Sequence, residues 1–229
     1  MKLRYLVIVI ALLSACALSN AQSAYFCDGQ GTKLNYERQY AGSGELKWKH
    51  TMSIDEVLVS PEGAKKIRYS SHFTKPSGSE MYGGPVALNA EISAAGDVTL
   101  DLAASLKSVF VNYLSENMVS ADNFYSTLPA NMEVGDKLPD AVFVVSIKLA
   151  KYRVVINNRE VVRREKIKTL AGEFDCVVVC EHKIEKGPGR NRETTAYTWY
   201  AAGIGMVRHD TYDKKMNLET IEQLCSINR

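Results

Sequence analysis

Histidine is the side chain best suited to acid–base catalysis near neutral pH, and the chain has four: His50, His72, His182 and His209. The chain lacks the paired histidine spacing of metalloprotease helices, the Gly-x-Ser-x-Gly elbow of serine hydrolases and the glycine-rich loop that binds phosphate. Asp210 follows His209, but neighbouring side chains on a strand point to opposite faces. The sequence therefore predicts a protein that is not an enzyme and needs no cofactor.

The cysteines could form disulfide bonds or bind a metal ion. Cys176 and Cys180 lie in a segment, residues 174–182, that is typical of a strand. Four residues along a strand span roughly 13 Å, whereas a disulfide needs Cα atoms closer than about 7 Å, so these two do not pair. Two connectivities remain, each joining Cys27 and Cys225 to one strand cysteine, and buried free thiols are the alternative. Even with His182 included, the spread is too wide for a zinc ion.

Aromatic side chains are concentrated in the last part of the chain. Tyr197, Trp199, Tyr200 and Tyr212 fall within a predicted meander of strands. Exposed tyrosine and tryptophan side chains bind glycans or protein partners, so these four form a candidate binding surface. The alternative is that they belong to an ordinary β-core and its rim.

The N-terminus has the pattern of a secretory signal peptide. Two basic residues precede an uninterrupted apolar run at residues 6–13, and small residues follow up to Ala21. The apolar run is too short to span a membrane. We expect cleavage between Ala21 and Gln22, which removes residues 1–21 and sends the chain to the periplasm or outside the cell.

A second interpretation of this segment is lipidation. Leu13-Ser14-Ala15-Cys16 matches the order of a bacterial lipobox, in which the cysteine is acylated and becomes the first residue. The chain would then be an outer-membrane lipoprotein, held by a linker of residues 17–26 that reaches roughly 35 Å. The apolar stretch continues past Cys16, which favours the ordinary cleavage site.

Composition places the rest of the chain among globular proteins. Of its 229 residues, 46% are hydrophobic and 24% are charged, which argues against disorder and against a multi-span membrane protein. Without residues 1–21 the chain loses two of its 28 basic residues and none of its 26 acidic ones, so it becomes formally neutral. A neutral chain has no general attraction to nucleic acid, and its length suits a single domain at residues 22–229.

A two-residue period runs through most of the chain. From Leu46 to Ile54, apolar and polar residues alternate, which is typical of a half-buried strand. We expect a hairpin tip at Asn157-Asn158 and a flexible basic loop at residues 186–192. The predicted strands number about ten: residues 46–59, 67–73, 86–92, 98–100, 142–156, 161–170, 174–184, 197–201, 206–212 and 218–227.

One segment has helical spacing instead. Apolar residues recur every three or four positions over residues 101–118, and Asp101 is placed to cap the helix. We expect this amphipathic helix to pack on the sheet rather than to bind lipid. The predicted fold is all-β, or β-dominated α+β: a curled antiparallel sheet or barrel-like roll with one packed helix. A curled sheet can enclose a cavity for an amphipathic molecule.

Two motifs resemble a known family. The first is Gly-x-Phe-Asp-Cys, ending at Cys176, and the second is Trp-Tyr-Ala-x-Gly-x-Gly-x-Val, starting at Trp199. With residues 128–140 and 212–215, they resemble the exported bacterial proteins of Domain of Unknown Function 3108, over residues 31–224. The resemblance implies an antiparallel β-domain in the cell envelope. It implies no activity and no catalytic residues.

These observations favour a non-catalytic, exported protein of the cell envelope. We expect it to bind a lipid, another amphipathic ligand or an envelope protein, without a transmembrane span after processing. The alternatives are a structural or adhesive surface module and a hydrolase whose site the linear sequence does not show.

Overall fold

The computed structural model describes residues 23–229, except for residues 112, 115, 123 and 149. The predicted signal peptide at residues 1–21, the cleavage site between Ala21 and Gln22, and the alternative lipidation site Cys16 lie outside the described residues.

Strands make up most of the described chain, and the bounds of all elements are as follows. The strands are β1 Lys33–Tyr40, β2 Leu46–Val59, β3 Lys65–Thr74, β4 Val86–Ile92, β5 Val98–Asp101, β6 Val119–Ala121, β7 Tyr125–Leu128, β8 Lys137–Leu138, β9 Ala141–Ile147, β10 Ala150–Thr169, β11 Gly172–Gly187, β12 Arg190–Ala201, β13 Gly205–Asp213 and β14 Leu218–Asn228. The helix α1 spans Leu102–Val111, and a 3₁₀ turn spans Glu116–Met118.

All fourteen strands belong to one sheet, and every pairing is antiparallel. The order is β6-β9-β10-β11-β12-β13-β14-β1-β2-β3-β4-β5-β7, with β8 paired to β10. This confirms the β-dominated fold. Within the described residues the path of pairing is open, from β6 to β7, so the sheet does not close into a barrel. It curls nevertheless, because β10 contacts β14 although three strands lie between them.

The strand predictions hold best where alternation is strong. In β3, Ile67, Tyr69 and Ser71 are buried while Lys66 and Arg68 are exposed. Eight of the ten predicted strands match observed strands one to one, whereas the predicted strands at residues 142–156 and 161–170 are divided differently, into β9 and β10. The prediction missed β1, β6, β7 and β8 entirely. Three of these are only two to four residues long, too short for a period to be visible.

The predicted hairpin tip at Asn157-Asn158 is wrong. β10 runs through both residues, and the chain reverses at Lys148, between β9 and β10. Asn158 does have the left-handed backbone that suits a turn, with φ of 51°. The pairing of β10 with β11 shifts register there, so the residue forms a bulge within one long strand.

The predicted flexible loop at residues 186–192 is also corrected. β11 extends to Gly187 and β12 begins at Arg190, so only the tight turn Pro188-Gly189 lies between them. The Tyr152 hydroxyl donates a hydrogen bond of 3.2 Å to the Pro188 carbonyl. The tip of this hairpin is therefore attached to β10.

Helix α1 is shorter than predicted but caps and packs as expected. The Ala104 amide donates to Asp101 Oδ1 at 2.8 Å, so Asp101 is the N-cap. Ala103 is fully buried, and it packs against the sheet through Phe143 of β9 and Val154 of β10. No described helix combines the length and the apolar character that crossing a membrane requires.

The main core lies where the curled sheet folds over itself. It takes buried residues from β1–β5 and β10–β14. Val177, Val178 and Val179 are each at most 1% exposed, so both faces of β11 are covered here. The segment before β1 adds Tyr25 and Phe26, and the Gly203 amide donates to the Ala24 carbonyl at 2.7 Å.

Candidate functional site

The concave face of the sheet holds a cavity of about 430 Å³ beside the core. Its walls come from β1, β2 and β3, from the segment after β3, and from β11–β14. The lining residues are Arg38, Lys47, Trp48, His50, Phe73, Tyr82, Glu181, Lys183, Glu185, Arg190, Arg192, Thr194, Ala196, Met206, His209, Thr211, Thr220 and Glu222.

Antiparallel register brings distant residues onto this face. Arg38 lies opposite Glu222 on one side and opposite Trp48 on the other. His50 lies opposite Tyr36 and Phe73, so its ring belongs to the same face. Directly opposed side chains in a sheet share a face and touch.

Arg38 is the central cation of the cavity. Its guanidinium donates to Thr220 Oγ1 at 2.9 Å, to Glu222 Oε2 at 3.2 Å and to Thr211 Oγ1. Burial lowers the pKa of Arg38, and the charge of Glu222 opposes that effect. Because an arginine stays protonated in proteins, Arg38 is a half-buried positive charge held by three hydrogen bonds.

His50 is held on every side. Its ring stacks between Tyr36 and Phe73, with centroids 5.1 Å and 4.2 Å away. Its Nδ1 lies 3.2 Å from Glu222 Oε1, and its Nε2 lies 3.2 Å from Ser71 Oγ. Both ring nitrogens are therefore occupied by partners in the protein.

Glu222 bonds to both Arg38 and His50. Burial acts to raise its pKa, but the hydrogen bond and charge interaction with His50, followed by the charge of Arg38, bring the pKa below its ordinary value. The carboxylate is 5% exposed and ionised at neutral pH. It ties β14 to β1 and β2.

Ser71, His50 and Glu222 stand in the order used by serine acyl-transfer enzymes, with the hydroxyl at Nε2 and the carboxylate at Nδ1. Ser71 is 7% exposed, however, and does not line the cavity. The three side chains cross-link β3, β2 and β14.

His209 lines the cavity in the neutral form. Burial, followed by the charge of Arg38, lowers the pKa of His209 to about 3. Its Nδ1 shares a hydrogen bond of 2.8 Å with Thr198 Oγ1. At neutral pH this imidazole adds a polar surface without a charge.

One wall of the cavity is aromatic. Trp48 lies edge-to-face against Phe73 at 6.5 Å, and Phe73 lies edge-to-face against Tyr82 at 5.4 Å. The guanidinium of Arg38 and the ammonium of Lys47 each lie 4.9 Å from the centroid of the Trp48 ring. The wall can bury an apolar or flat molecule beside positive charge.

The predicted aromatic surface divides between the two faces of the sheet. Tyr197, Trp199 and Tyr212 lie on the face opposite the cavity, and Tyr200 lies on the cavity face without lining it. Tyr197 and Tyr212 meet edge-to-face at 5.6 Å. Burial raises the pKa of Tyr200. The structure thus brings three of the four together and not the fourth.

Trp199 is a packed side chain rather than an open platform. It is 5% exposed, between the guanidinium groups of Arg163 at 5.3 Å and Arg208 at 5.0 Å. Its Nε1 donates to Glu165. A ligand could not stack on this ring without displacing an arginine.

All four described cysteines are free thiols, and the structure contains neither of the two disulfide pairings that the sequence left open. Cys27 and Cys176 are buried, and Cys180 and Cys225 are half-buried. Burial raises the pKa of Cys176 to about 12, so this thiol is unreactive at neutral pH. Within the described chain, no group of three or more His, Cys, Asp or Glu side chains is placed to hold a metal ion.

Sequence reasoning missed the residues that line the cavity. His50 and Glu222 are 172 positions apart, and Arg38 and Glu222 are 184 apart. No local motif links such positions. The sequence carries only a weak signal for them. Arg38 and Glu222 are charged residues at positions of the two-residue period where the strand otherwise places apolar side chains in the interior.

Two crystal structures share this fold. One is a "putative lipoprotein" from Parabacteroides distasonis ATCC 8503, with a TM-score of 0.74 and 23% identity over 90% of this chain and 99% of that one. The other is a "putative exported protein with YmcC-like fold" from Bacteroides fragilis NCTC 9343, with a TM-score of 0.71 and 20% identity over 90% of this chain and 100% of that one.

A comparison with curated proteins found no match. The sequence profile described as DUF3108-like matches residues 29–224. That range includes every residue lining the cavity and agrees with the resemblance seen in the motifs around Cys176 and Trp199. The chain belongs to the DUF3108-like family.

Proposed function

We propose that the protein is an exported, non-catalytic protein of the bacterial cell envelope that holds an amphipathic ligand in its concave cavity. The observation that carries this proposal is the cavity itself. Its volume of about 430 Å³ falls in the range of small-molecule sites, and it joins an aromatic wall to charged side chains. Such a site suits a ligand with one apolar and one polar part.

Export is supported by the N-terminal pattern and by the two similar structures. The apolar run at residues 6–13 and the small residues up to Ala21 are typical of a signal peptide. The similar proteins carry the words lipoprotein and exported in their names. We favour cleavage after Ala21 and a location in the periplasm or outside the cell, with a lipoprotein acylated at Cys16 as the alternative.

The amphipathic character of the ligand follows from the two kinds of wall. Trp48, Phe73 and Tyr82 offer ring surface on one side. Lys183, Arg190 and other charged groups offer polar contacts on the other. A wholly polar ligand would leave the rings against water, and a wholly apolar ligand would desolvate the charges without pairing them.

The test is native mass spectrometry of protein purified gently from its own host. We expect a bound amphipathic molecule that is retained in Tyr212→Ala and reduced in Tyr82→Ala. Tyr82 lines the cavity, whereas Tyr212 lies on the opposite face and is the matched control. Protein that carries no ligand and takes up no added amphiphile would contradict the proposal.

A hydrolase is the second candidate, because Ser71, His50 and Glu222 have the order of an acyl-transfer site. Labelling with a fluorophosphonate separates the two functions. We expect no labelling, since Ser71 is buried. Labelling that is abolished by Ser71→Ala would establish the hydrolase instead.

The structure supports a structural or adhesive surface module less well than a ligand-binding protein. It requires an exposed aromatic surface, and Trp199 is covered by Arg163 and Arg208.

A further inference from the structure

The charges around the cavity do not balance. Among its lining residues are five basic side chains and three carboxylates: Arg38, Lys47, Lys183, Arg190 and Arg192 against Glu181, Glu185 and Glu222. The chain as a whole is close to neutral, so this excess is local. Its meaning depends on which charges are already paired.

Two of the carboxylates are already paired with arginines of low exposure. Glu222 pairs with Arg38 at 3.2 Å, and Glu181 pairs with Arg159 at 3.5 Å. Arg159 is 6% exposed and lies outside the lining of the cavity. Glu181 and Glu222 therefore cannot offset the remaining cations.

Glu185 has two cationic partners. It lies 2.8 Å from Arg190 and 3.8 Å from Lys183. Arg192 pairs with Glu219, a residue just outside the cavity lining. The single negative charge of Glu185 can neutralise only one of Lys183 and Arg190, so one positive charge at this end of the cavity has no counterion.

Lys47 is the second surplus charge. In the described part of the chain no carboxylate lies within ion-pair distance of its ammonium group, which instead lies 5.0 Å from the Tyr40 ring and 4.9 Å from the Trp48 ring. Burial lowers the pKa of Lys47, followed by the repulsion of Arg38 and Arg192, while the charge of Glu219 acts to raise it. Lys47 and Arg190 line the same cavity, so one bound anion there can face both.

We propose that the ligand is an anionic amphiphile whose carboxylate, sulfate or phosphate group binds beside Lys47 and Arg190, with its apolar part on the Trp48 and Phe73 rings. This rests on the proposed function and specifies the ligand class. An oxyanion there would offset both surplus charges. A neutral or cationic head group would leave them unpaired in a partly desolvated site.

The hairpin of β11 and β12 holds its side of this anion site in place. Arg190 begins β12 directly after the turn, and the turn is attached to β10 through Tyr152 and the Pro188 carbonyl. Lys47 lies in β2 at the bulge where the pairing with β1 shifts register, between Leu46 and Trp48, which are both paired to β1. Both cations are thus carried by strands of the sheet, which limits the entropy lost on binding.

The test is isothermal titration calorimetry with three probes that share an eight-carbon chain: octyl phosphate, octyl glucoside and octyltrimethylammonium. We expect octyl phosphate to bind most tightly. We expect Lys47→Gln to weaken its binding about tenfold, the usual order for loss of a charge-assisted contact. The matched control is Lys168→Gln, an exposed lysine of β10 outside the cavity, which should leave binding unchanged.

The outcomes separate this inference from the proposed function. Equal binding of octyl phosphate and octyl glucoside, unaffected by Lys47→Gln, would overturn the anionic ligand and leave an amphiphile-binding cavity. Tightest binding of octyltrimethylammonium would overturn it as well. If none of the three probes bound, both the inference and the proposed function would be wrong.

Two further binding experiments identify the kind of molecule that supplies the anion. Inorganic phosphate that binds as tightly as octyl phosphate, and is weakened by Lys47→Gln, would support the anion site and remove the need for an apolar part. Co-sedimentation with phosphatidylglycerol vesicles but not with phosphatidylcholine vesicles, lost in Lys47→Gln, would support a lipid head group as the anion.

Discussion

At the scale of single residues, the molecule concentrates its buried charge in one place. Arg38, Glu222 and His50 bond to one another and to hydroxyl groups on the concave face. Glu222 is the shared partner, so its removal would leave both Arg38 and His50 without an anion on a largely buried face. A buried ion pair is costly to break even where it adds little net stability when intact.

Glu222→Gln is expected to destabilise the protein by about 3 kcal/mol, because Arg38 and His50 lose their common anionic partner. The measurement is the midpoint of urea denaturation. Glu193→Gln is the control, since that carboxylate pairs with His182 at the surface and should matter by less than about 1 kcal/mol. A similar small change in both variants would show that the buried pair contributes little.

His209 gives the fold a dependence on pH. Its pKa is about 3 in the folded protein and 6.5 ordinarily, so below pH 6.5 the unfolded chain takes up a proton that the folded chain refuses. Stability therefore falls as the pH drops from 6.5 towards 3, with a slope approaching about 1.4 kcal/mol per pH unit.

We expect His209→Gln to flatten this part of the stability curve, measured by denaturant unfolding at successive pH values. Leu170→Ala is the control, since this side chain is 77% exposed and does not titrate, so its loss should leave the slope unchanged. An unaltered slope in His209→Gln would show that another group controls the acid response. Glu222 adds to the loss of stability below about pH 4.5, its ordinary pKa, because its folded pKa is lower and the unfolded chain takes up that proton first.

At the scale of elements, α1 interrupts a molecule otherwise made of strands. Its N-cap is Asp101, the last residue of β5, so one side chain ends a strand and starts the helix. The helix then covers a second apolar cluster on β9 and β10.

Asp101→Ala should cost about 1 kcal/mol of stability, because the Ala104 amide loses its acceptor at the first turn. Thermal unfolding followed by circular dichroism measures the change. Asp140→Ala, at an exposed position before β9, is the matched control and should be neutral. Equal melting temperatures for the two variants would show that Asp101 does not stabilise the helix as its N-cap.

Elements were predictable wherever the pattern was local. The alternation in β2 and β3 and the cap at Asp101 could be predicted because neighbouring residues carry the signal. Asn158 misled the prediction because a left-handed residue serves equally well in a turn or in a bulge, and only pairing with β11 decides. The cavity depends on β1 lying between β14 and β2, a long-range pairing that no short window contains.

At the scale of the whole molecule, the segment before β1 belongs to the core. Tyr25 is 3% exposed, Phe26 is 7% exposed and its ring lies edge-to-face against Tyr69 at 5.3 Å. If Cys16 is acylated, the linker of residues 17–26 expected from the sequence is shortened to residues 17–23, with a reach of about 25 Å. A lipid anchor would then hold the domain closer to its membrane than the sequence implied.

Phe26→Ala is expected to destabilise the protein by about 3–5 kcal/mol, the usual cost of removing a buried phenyl ring. Urea denaturation measures it, and Tyr125→Ala, at a position 57% exposed, is the control that should change little. A loss under 1 kcal/mol would mean that the segment before β1 is a peripheral attachment.

The place of β14 between β13 and β1 has a consequence for when the fold can form. The strands β1–β5 join the rest of the sheet through β14, the last strand along the chain. Contacts of such long sequence separation form slowly, because a large loop must close before any of them is made. While β14 is still being synthesised, the earlier strands lack the partner that completes their sheet. The cavity has walls from the strands on both sides of β14, so we expect it to form only after the last strand of the chain has been made.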